Sequence, residues 1–351
     1  MHMADALLAP AVAATMYVAS GATAGYSINR VRKDNDSSKL PVMAVTSALV
    51  FAGQMINYTI PGTGSSGHMC GGMMLSALLG PEAGFLSMIV ILAIQCLFFA
   101  DGGLMALGAN CWNMAFYGCF VGYYLIWRPI MKGRHIGENK SNTRARIIAA
   151  SLIGCIVSLQ LGAFSVVIET SLSGITELPF GAFLALMQPI HLAIGLVEGL
   201  ITSAVLIFVY ESRPELLRDI GAEEGRAAKR SLKSVVAILA IVAVAVGGGL
   251  SLLASSNPDG LEWALFGNEE SGYASNMGLD EENYGASSEA ADKAGEIQEK
   301  ISILPDYGFK DSESAVGTSF SGIVGSAVVA AIAVLICLAG GFFRRKKQMK
   351  E

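Results

Sequence analysis

Apolar segments of membrane-spanning length recur along this 351-residue chain. A helix needs roughly 20 apolar residues to cross the hydrocarbon of a bilayer. The segments are residues 10–28, 41–58, 82–100, 110–127, 147–168, 181–210, 234–254 and 320–342. Only 15% of the residues are charged, whereas a soluble domain is typically about 25% charged. The sequence therefore predicts an all-α polytopic membrane protein embedded in the lipid bilayer.

Four basic segments predict the orientation of these helices, because lysine and arginine are enriched in loops that face the cytoplasm. The segments are residues 30–39, 128–146, 213–233 and the tail that begins at Arg344. All four are assigned to the cytoplasm, so the C-terminus is predicted inside. The net charge of −5 is concentrated in a polar segment near the C-terminus, and nucleic acid is not an expected partner.

The number of crossings predicts one further, shorter helix. The second apolar segment ends outside near Tyr58, whereas the segment that starts at residue 82 has to begin inside. Residues 65–80 (SSGHMCGGMMLSALLG) are the candidate for the return, as a short helix enclosed by protein rather than lipid. An irregular loop over 61–64 precedes it, and His68 is predicted at its outer end. The same count predicts an extracytoplasmic N-terminus.

The chain begins Met1-His2-Met3, and a histidine in second position is a chelating group. The α-amine, the His2 amide nitrogen and the His2 imidazole can close fused rings on one metal ion. Three nitrogen donors in nearly one plane suit the square-planar coordination that Ni(II) and Cu(II) favour. Small residues at 21–24 resemble a signal-peptidase site, but no basic region precedes the apolar run. We therefore expect Met1 to be retained.

A fourth donor has to come from one of three further histidines: His68, His135 or His191. His135 lies in a basic cytoplasmic segment. His68 is predicted on the same membrane face as Met1 and His2, so we expect it to complete the site. The alternative for His68 is a loop histidine that bonds only to the backbone.

Five polar residues in or beside the apolar segments are candidates for supporting the site, because ionisable groups inside a membrane are costly. Asp101 is predicted at the outer mouth. Asn110 and Asn113 open the next helix, where Asn110 could equally cap that helix. His191 and Glu198 are two helical turns apart and share a face. That pair is interpreted as a static tie between helices, with a second metal step or a proton relay as alternatives.

Four separated sequence blocks resemble the CbiM/NikM family, the substrate-binding membrane subunits of energy-coupling-factor (ECF) importers for cobalt and nickel. The blocks are MHMADALLAP at 1–10, PGTGSSGHMCGG at 61–72, LFFADGGLMALGANCWNM at 97–114 and HLAIGLVEGLITSAVL at 191–206. The resemblance covers residues 1–210 and implies a seven-helix substrate-binding (S-component) core. It also implies that the ion is held by the Met1 amine, by the amide and side chain of His2, and by His68.

The sequence NPDGLEW at 257–263 and LPDY at 304–307 resemble the small PDGLE-type (NikN-like) companion subunit, a two-helix protein with an outer loop. Here it is expected as a fusion. Residues 211–233 would be a cytoplasmic linker and 234–351 the companion, with two transmembrane helices and an extracytoplasmic loop over 255–319. The composition of that loop predicts partial disorder. The companion is more typical of the nickel branch, and the preference for nickel rests on this resemblance.

The resemblance implies an importer component of the cell membrane rather than an enzyme. The expected substrate is Ni(II) or Co(II), and the expected partners are an ECF membrane coupling protein and an ATPase pair. The chain itself lacks the phosphate loop G-x-x-x-x-G-K-[ST]. The alternatives are a cobalt importer component for cobalamin biosynthesis and a membrane sensor that binds the metal without moving it. An enzyme built on His191 and Glu198 lacks the further ligands that such a site needs.

Overall fold

Helices form most of the protein, as the sequence predicts. The computed structural model describes residues 1–34, 40–132, 140–175, 178–220, 228–268, 279, 284–285, 288–310 and 314–348. The first helices are α1 (Pro10–Asp34), α2 (Leu40–Gln54), α3 (Gly72–Leu79) and α4 (Pro81–Phe99). The next, α5, begins as Leu107–Asn110, continues with π-type turns over Cys111–Trp127 and ends as Arg128–Met131. Then follow α6 (Lys140–Leu172), α7 (Phe180–Ser212), α8 (Leu232–Gly248), α9 (Gly260–Phe266), α10 (Glu289–Ile301) and α11 (Ala315–Gln348).

Five helices in the described part of the chain are long and apolar enough to cross a membrane. They are Pro81–Phe99, Asn142–Leu172, Phe180–Ser212, Leu232–Leu253 and Val316–Leu335. The apolar helix α2 is shorter, because it ends at Gln54 and the predicted segment 41–58 is helical only that far. The predicted segments 10–28 and 110–127 are helical, in α1 and α5, but are not among these five. The chain is a multi-pass membrane protein.

The predicted short helix over 65–80 is wrong in its first half. Only Gly72–Leu79 is helical, whereas β2 (Ser65–Gly67) pairs antiparallel with β1 (Tyr58–Ile60). Glycines in the turn and before the helix favour this outcome, because glycine is a poor helix former and adopts positive φ freely. Gly71, with φ of +83°, is where the chain turns into α3. The hairpin is the one sheet among the described residues, in an otherwise mainly helical architecture.

Helix α3 is enclosed by protein, as predicted for a short crossing. All of its residues are buried, and it packs on α4 and α5. Its closest approach to α5 is between Gly72 and Gly118. A Cβ built on Gly118 would lie 3.0 Å from the Cα of Gly72. The absence of side chains at both positions lets the two backbones touch, as is common between membrane helices.

The C-terminal part packs against the rest of the chain. Helices α8 and α11 contact each other and α2. The connection between them contains α9, α10 and two 3₁₀ turns, Leu250–Leu253 and Pro305–Tyr307. Part of the loop predicted over 255–319 is therefore helical. Its acidic patch, residues 280–282, lies outside the described residues.

Candidate metal centre

The first residues of the chain are threaded into the interior. The side chains of Met1 and Met3 are buried, and a 3₁₀ turn over Asp5–Leu7 leads into α1. The Met3 carbonyl accepts a hydrogen bond of 2.9 Å from the Gly103 amide. The Asp5 carboxylate accepts one of 2.9 Å from the Ala106 amide. These bonds hold the N-terminal segment across the loop between α4 and α5.

Asn110 holds the backbone of Met3 from both sides. Its Oδ1 accepts from the Met3 amide at 2.7 Å, and its Nδ2 donates to the Met3 carbonyl at 3.1 Å. The Asn110 side chain caps no helix. The alternative interpretation of Asn110 as a helix cap is therefore wrong: its side chain bonds to the Met3 backbone, and its part in a metal site stays a prediction.

The imidazoles of His2 and His68 lie face to face. Their ring centroids are 5.2 Å apart and their planes differ by 19°. The Nδ1 of His68 is 3.1 Å from the carbonyl oxygen of Met69. Donation from Nδ1–H to that carbonyl leaves the lone pair on Nε2, the nitrogen that could bind a metal. His68 thus makes the backbone bond of the alternative interpretation and still lies against His2.

Both ring nitrogens of His2 have side-chain partners. Nδ1 lies 3.0 Å from Oδ1 of Asp101, and Nε2 lies 3.3 Å from Oε1 of Gln95. Asp101 was predicted beside the site. Gln95 was not predicted, because a glutamine inside an apolar segment has no periodic pattern that marks it. A chelate that uses the His2 amide takes Nδ1, the ring nitrogen nearer the backbone, and leaves Nε2–H to donate to Gln95.

The Met1 amine is buried against the carboxylate of Asp259, at 2.6 Å from Oδ2. Burial alone lowers the pKa of the amine, but the Asp259 carboxylate offsets this and the pKa is raised. Burial likewise raises the pKa of Asp259, and the amine and His68 outweigh it, so that this pKa falls below its usual range. Sequence reasoning missed Asp259, although it lies inside the NPDGLEW motif.

Burial also affects the two imidazoles. It lowers the pKa of His2, and it lowers the pKa of His68 to about 4, with the nearby amine acting in the same direction. Both rings are therefore neutral at neutral pH. A metal requires neutral imidazoles, so the environment favours the ligand form.

Asn113 lies next to the N-terminal segment but contacts its side chains only. Its Nδ2 donates to Oε2 of Glu169 at 2.8 Å and lies 3.5 Å from the Met3 sulfur. Oε1 of Glu169 and Oδ1 of Asn113 are buried without a hydrogen-bond partner in the described part of the protein. Glu169 was not predicted, although it is an acidic residue in an apolar segment, which was the signal available.

His191 and Glu198 share a face of α7 but bond to different groups. Glu198 accepts from the amides of Cys70 and Gly71 at 2.7 and 2.9 Å, and so ties α7 to the turn before α3. The Nδ1 of His191 bonds to the Met187 carbonyl in the same helix, at 2.7 Å. The tie between elements is made by Glu198 alone, and the two residues do not form the predicted pair. His135 lies outside the described residues.

Side chains alone do not form a metal site here. Among the described residues, no group of three or more His, Cys, Asp and Glu side chains could hold an ion. The candidate centre therefore depends on main-chain nitrogens, the amine of Met1 and the amide of His2, together with the imidazoles of His2 and His68. That combination is a set of nitrogen donors suited to Ni(II), Co(II) or Cu(II).

Comparison with known proteins finds two families along the chain. Residues 2–216 match the family described as cobalt uptake substrate-specific transmembrane region. Residues 233–340 match the PDGLE domain.

Individual relatives cover most or part of the chain. A putative fused nickel transport protein NikMN of Archaeoglobus fulgidus is 35% identical over 95% of this chain and 96% of its own. The fused nickel transport protein NikMN of Rhodobacter capsulatus is 30% identical over 77% of this chain and 76% of its own. The cobalt transport protein CbiM of Sorangium cellulosum is 30% identical over 54% and 80%. A crystal structure of a truncated transition metal transporter has a TM-score of 0.51, is 31% identical, and covers 60% of this chain and 99% of its own.

Proposed function

The chain belongs to the family of cobalt uptake substrate-specific transmembrane proteins, and we propose that it is the substrate-binding membrane component of an ECF importer for Ni(II). The nitrogen donors of the N-terminal segment bind the ion. The chain is a transporter subunit rather than an enzyme, and its relatives are named as metal transport proteins.

One observation carries this proposal: the two chain-terminal residues lie beside a histidine from a distant loop. His2 and His68 are 66 positions apart in the sequence, yet their ring centroids are separated by 5.2 Å, and the buried Met1 amine is adjacent. We propose the Met1 amine, the His2 amide, the His2 Nδ1 and the His68 Nε2 as the four donors. Three of the predicted supporting residues contact the N-terminal segment: Asp101, Asn110 and Asn113. Glu198 supports the turn that follows His68. His191 makes no bond to the donors among those described above.

Nickel is favoured over cobalt by two features. Four nitrogens in one plane suit Ni(II) better than Co(II). In addition, two relatives that match 95% and 77% of the chain are named as fused nickel transport proteins.

Cobalt is the second candidate, because the first matching family is described by cobalt uptake and a CbiM relative is named for cobalt transport. Raw affinity of such sites increases from Co(II) to Ni(II) to Cu(II). Competition among the three ions in one uptake assay distinguishes the candidates. Nickel uptake that excess cobalt does not suppress supports the nickel proposal, and the reverse result contradicts it.

We further propose a division of the chain into a seven-helix core (1–210), a cytoplasmic linker (211–233) and a two-helix companion (234–351) with an outer loop over 255–319. In this arrangement the N-terminus is extracytoplasmic and the C-terminus cytoplasmic. ATP hydrolysis would take place on a separate ATPase pair that reaches the chain through a membrane coupling protein. Co-purification of these partners with the chain, and ATP-dependent uptake of radioactive nickel by the complex, test this part.

A titration of the purified chain with nickel tests the site itself. His2→Ala and His68→Ala each remove a donor, so both are expected to weaken binding beyond the roughly 10- to 100-fold that altering an outer partner costs. His135→Ala is the matched control and is expected to bind like the wild type. Unchanged affinity in both His2→Ala and His68→Ala would remove the proposal.

A further inference from the structure

The carboxylate that meets the N-terminal amine comes from the C-terminal part of the chain. Asp259 lies immediately before α9, and its Oδ1 accepts from the amides of Leu261 and Glu262 at 2.8 and 2.9 Å. Its other oxygen, Oδ2, accepts from the Met1 amine at 2.6 Å. Because the first helical turn fixes Oδ1, the carboxylate presents Oδ2 to the amine in a defined position.

The segment around Asp259 is docked on the hairpin that leads to His68. The Ser66 amide donates to the Pro258 carbonyl at 2.8 Å, and the Ser66 hydroxyl donates to the Asn257 carbonyl at 2.7 Å. Gly260 lies against α7: a Cβ added to Gly260 would lie only 2.6 Å from Cγ2 of Ile190. One short segment therefore contacts both the N-terminus and the strand next to His68.

The same C-terminal part also reaches the other side of the N-terminal segment. The Tyr307 hydroxyl donates to Oδ2 of Asp101 at 2.5 Å, while Oδ1 of Asp101 meets the His2 ring. The Tyr307 ring stacks on Phe99, with centroids 4.7 Å apart. Gln298 donates to the Gly102 carbonyl at 2.7 Å. Residues of the C-terminal part therefore contact the Met1 amine directly, through Asp259, and the His2 imidazole indirectly, through the bond from Tyr307 to Asp101.

We propose that Asp259 is a positioning residue for metal binding, an outer carboxylate that holds the Met1 amine beside His68 before and after the ion enters. This inference rests on the proposed function. The Met1 ammonium group uses one N–H bond for Oδ2 of Asp259. When it releases one proton to solvent and binds the metal through the freed lone pair, the amine keeps N–H bonds and can still donate to Oδ2. Outer partners of this kind orient metal ligands and raise their basicity.

The arrangement also reduces the cost of ordering the N-terminus. A free chain end loses backbone and side-chain conformational entropy when it closes round an ion. Asp259 and Asn110 fix the two sides of the first three residues in the metal-free protein. In addition, a divalent ion bound to a deprotonated amide remains cationic, and the carboxylate of Asp259 lies next to it.

The substitution Asp259→Asn tests the inference in the full-length chain. Asparagine is as good a helix cap as aspartate, so α9 is retained while the charge is lost. At alkaline pH, where the Met1 amine is unprotonated in both proteins, we expect nickel to bind about tenfold or more weakly. The visible spectrum at saturating nickel should be unchanged, because the donors are the same. The Glu262 side chain accepts from the Asp259 amide at 3.3 Å and does not meet the Met1 amine in the contacts above. Glu262→Gln is therefore the matched control and should bind like the wild type.

A second readout needs no metal. Trace acetylation of the metal-free proteins, followed by peptide mass spectrometry, measures how fast the Met1 amine reacts. Asp259→Asn should make that amine react severalfold faster, and Glu262→Gln should not. Ser66→Ala removes the hydroxyl bond to the Asn257 carbonyl and so loosens the docked segment without altering Asp259. We expect it to weaken nickel binding and speed acetylation of Met1, both by less than Asp259→Asn. This variant replaces Asp259→Asn in the test if Asp259→Asn does not fold.

The outcomes separate this inference from the proposed function. A wild-type chain that binds no nickel overturns both. Nickel binding that depends on His68 but is as tight or tighter in Asp259→Asn overturns the positioning role alone, whatever the labelling shows. Weaker binding with an unchanged spectrum and faster labelling of Met1 supports it.

Discussion

The two histidines of the candidate centre differ in how their ring nitrogens are bonded. His68 uses Nδ1 toward the Met69 carbonyl, which leaves the Nε2 lone pair for an ion. Both ring nitrogens of His2 have partners, Asp101 at Nδ1 and Gln95 at Nε2, and the proposed chelate uses Nδ1 and keeps the contact with Gln95. Asp101, at the His2 Nδ1, has to give way when a metal binds there.

Asn110→Ala is predicted to release the N-terminal segment. The substitution removes both hydrogen bonds from Asn110 to the Met3 backbone. The Met3 carbonyl keeps its bond from the Gly103 amide, but the buried Met3 amide loses its acceptor, which costs about 1–3 kcal/mol. Amide hydrogen exchange over residues 3–8 should become faster, and nickel affinity should fall. Asn142→Ala, at an exposed asparagine near the start of α6, is the matched control. Unchanged exchange in Asn110→Ala would contradict the role assigned to this side chain.

The sequence singled out His2 and His68, whose rings lie together, but not the side chains that contact the N-terminal residues. His2 was recognised from its position, and His68 from the membrane face on which charge counting placed it. Gln95 and Asp259 were missed for a physical reason: each meets the N-terminus across a long stretch of chain, 258 residues in the case of Asp259 and Met1. No local pattern encodes such a contact, and a single capping aspartate looks the same whether or not an amine lies beside it.

Among the elements, α3 and the hairpin before it position His68. The sequence predicted a short helix enclosed by protein, and Gly72–Leu79 is such a helix, packed on α4 and α5. That it returns the chain across the membrane stays a prediction. The extent of that helix could not be predicted, because apolar periodicity does not distinguish a Gly-rich turn of helix from a buried strand. The backbone of Ser66 was then available to pair with Pro258 in a distant part of the chain.

Gly118→Ala is predicted to displace α3. The added Cβ would lie 3.0 Å from the Gly72 Cα, closer than side-chain carbons normally approach, and overpacking of this kind costs about 1–3 kcal/mol. The melting temperature should fall, and nickel affinity should fall with it because His68 precedes α3. Gly21→Ala is the control, since a Cβ at Gly21 in α1 meets nothing within 4 Å. Equal melting temperatures for the two variants would show that the contact between α3 and α5 is not tight.

The whole molecule joins two parts that pack against each other, and both contribute groups around the N-terminus. Two family matches cover these parts, over residues 2–216 and 233–340. The first part contains the proposed nitrogen donors, and the second contains Asp259 and Tyr307, which contact the Met1 amine and Asp101. Fusion of the two parts supplies one Asp259 and one Tyr307 for every N-terminus. This suits a site in which the residues that hold the donors come from the companion.

The pH dependence of nickel binding depends on the charge pair between Met1 and Asp259, which joins the two parts of the chain. Asp259 offsets the effect of burial and raises the pKa of the Met1 amine, so protons compete with the metal to a higher pH than at an ordinary amine. The pKa of His68 is about 4, so its imidazole is already neutral at pH 6 and does not limit binding. We predict that nickel affinity rises with pH above neutrality and that binding releases protons from the amine and the amide.

Calorimetry at one pH in two buffers with different ionisation heats measures this proton release directly. The binding enthalpy should differ between the buffers by the heat of taking up the released protons. Equal enthalpies in both buffers would contradict coordination through the Met1 amine and the His2 amide.

In the proposed site the first two residues bind the ion through their own backbone nitrogens. Nickel titration of the full-length chain before and after acetylation of the Met1 amine, with identity checked by mass spectrometry, tests this. Acetylation removes the amine lone pair and leaves both imidazoles intact, so we expect tight binding and the square-planar spectrum to be lost together. An acetylated chain that binds nickel with unchanged affinity and spectrum would contradict it.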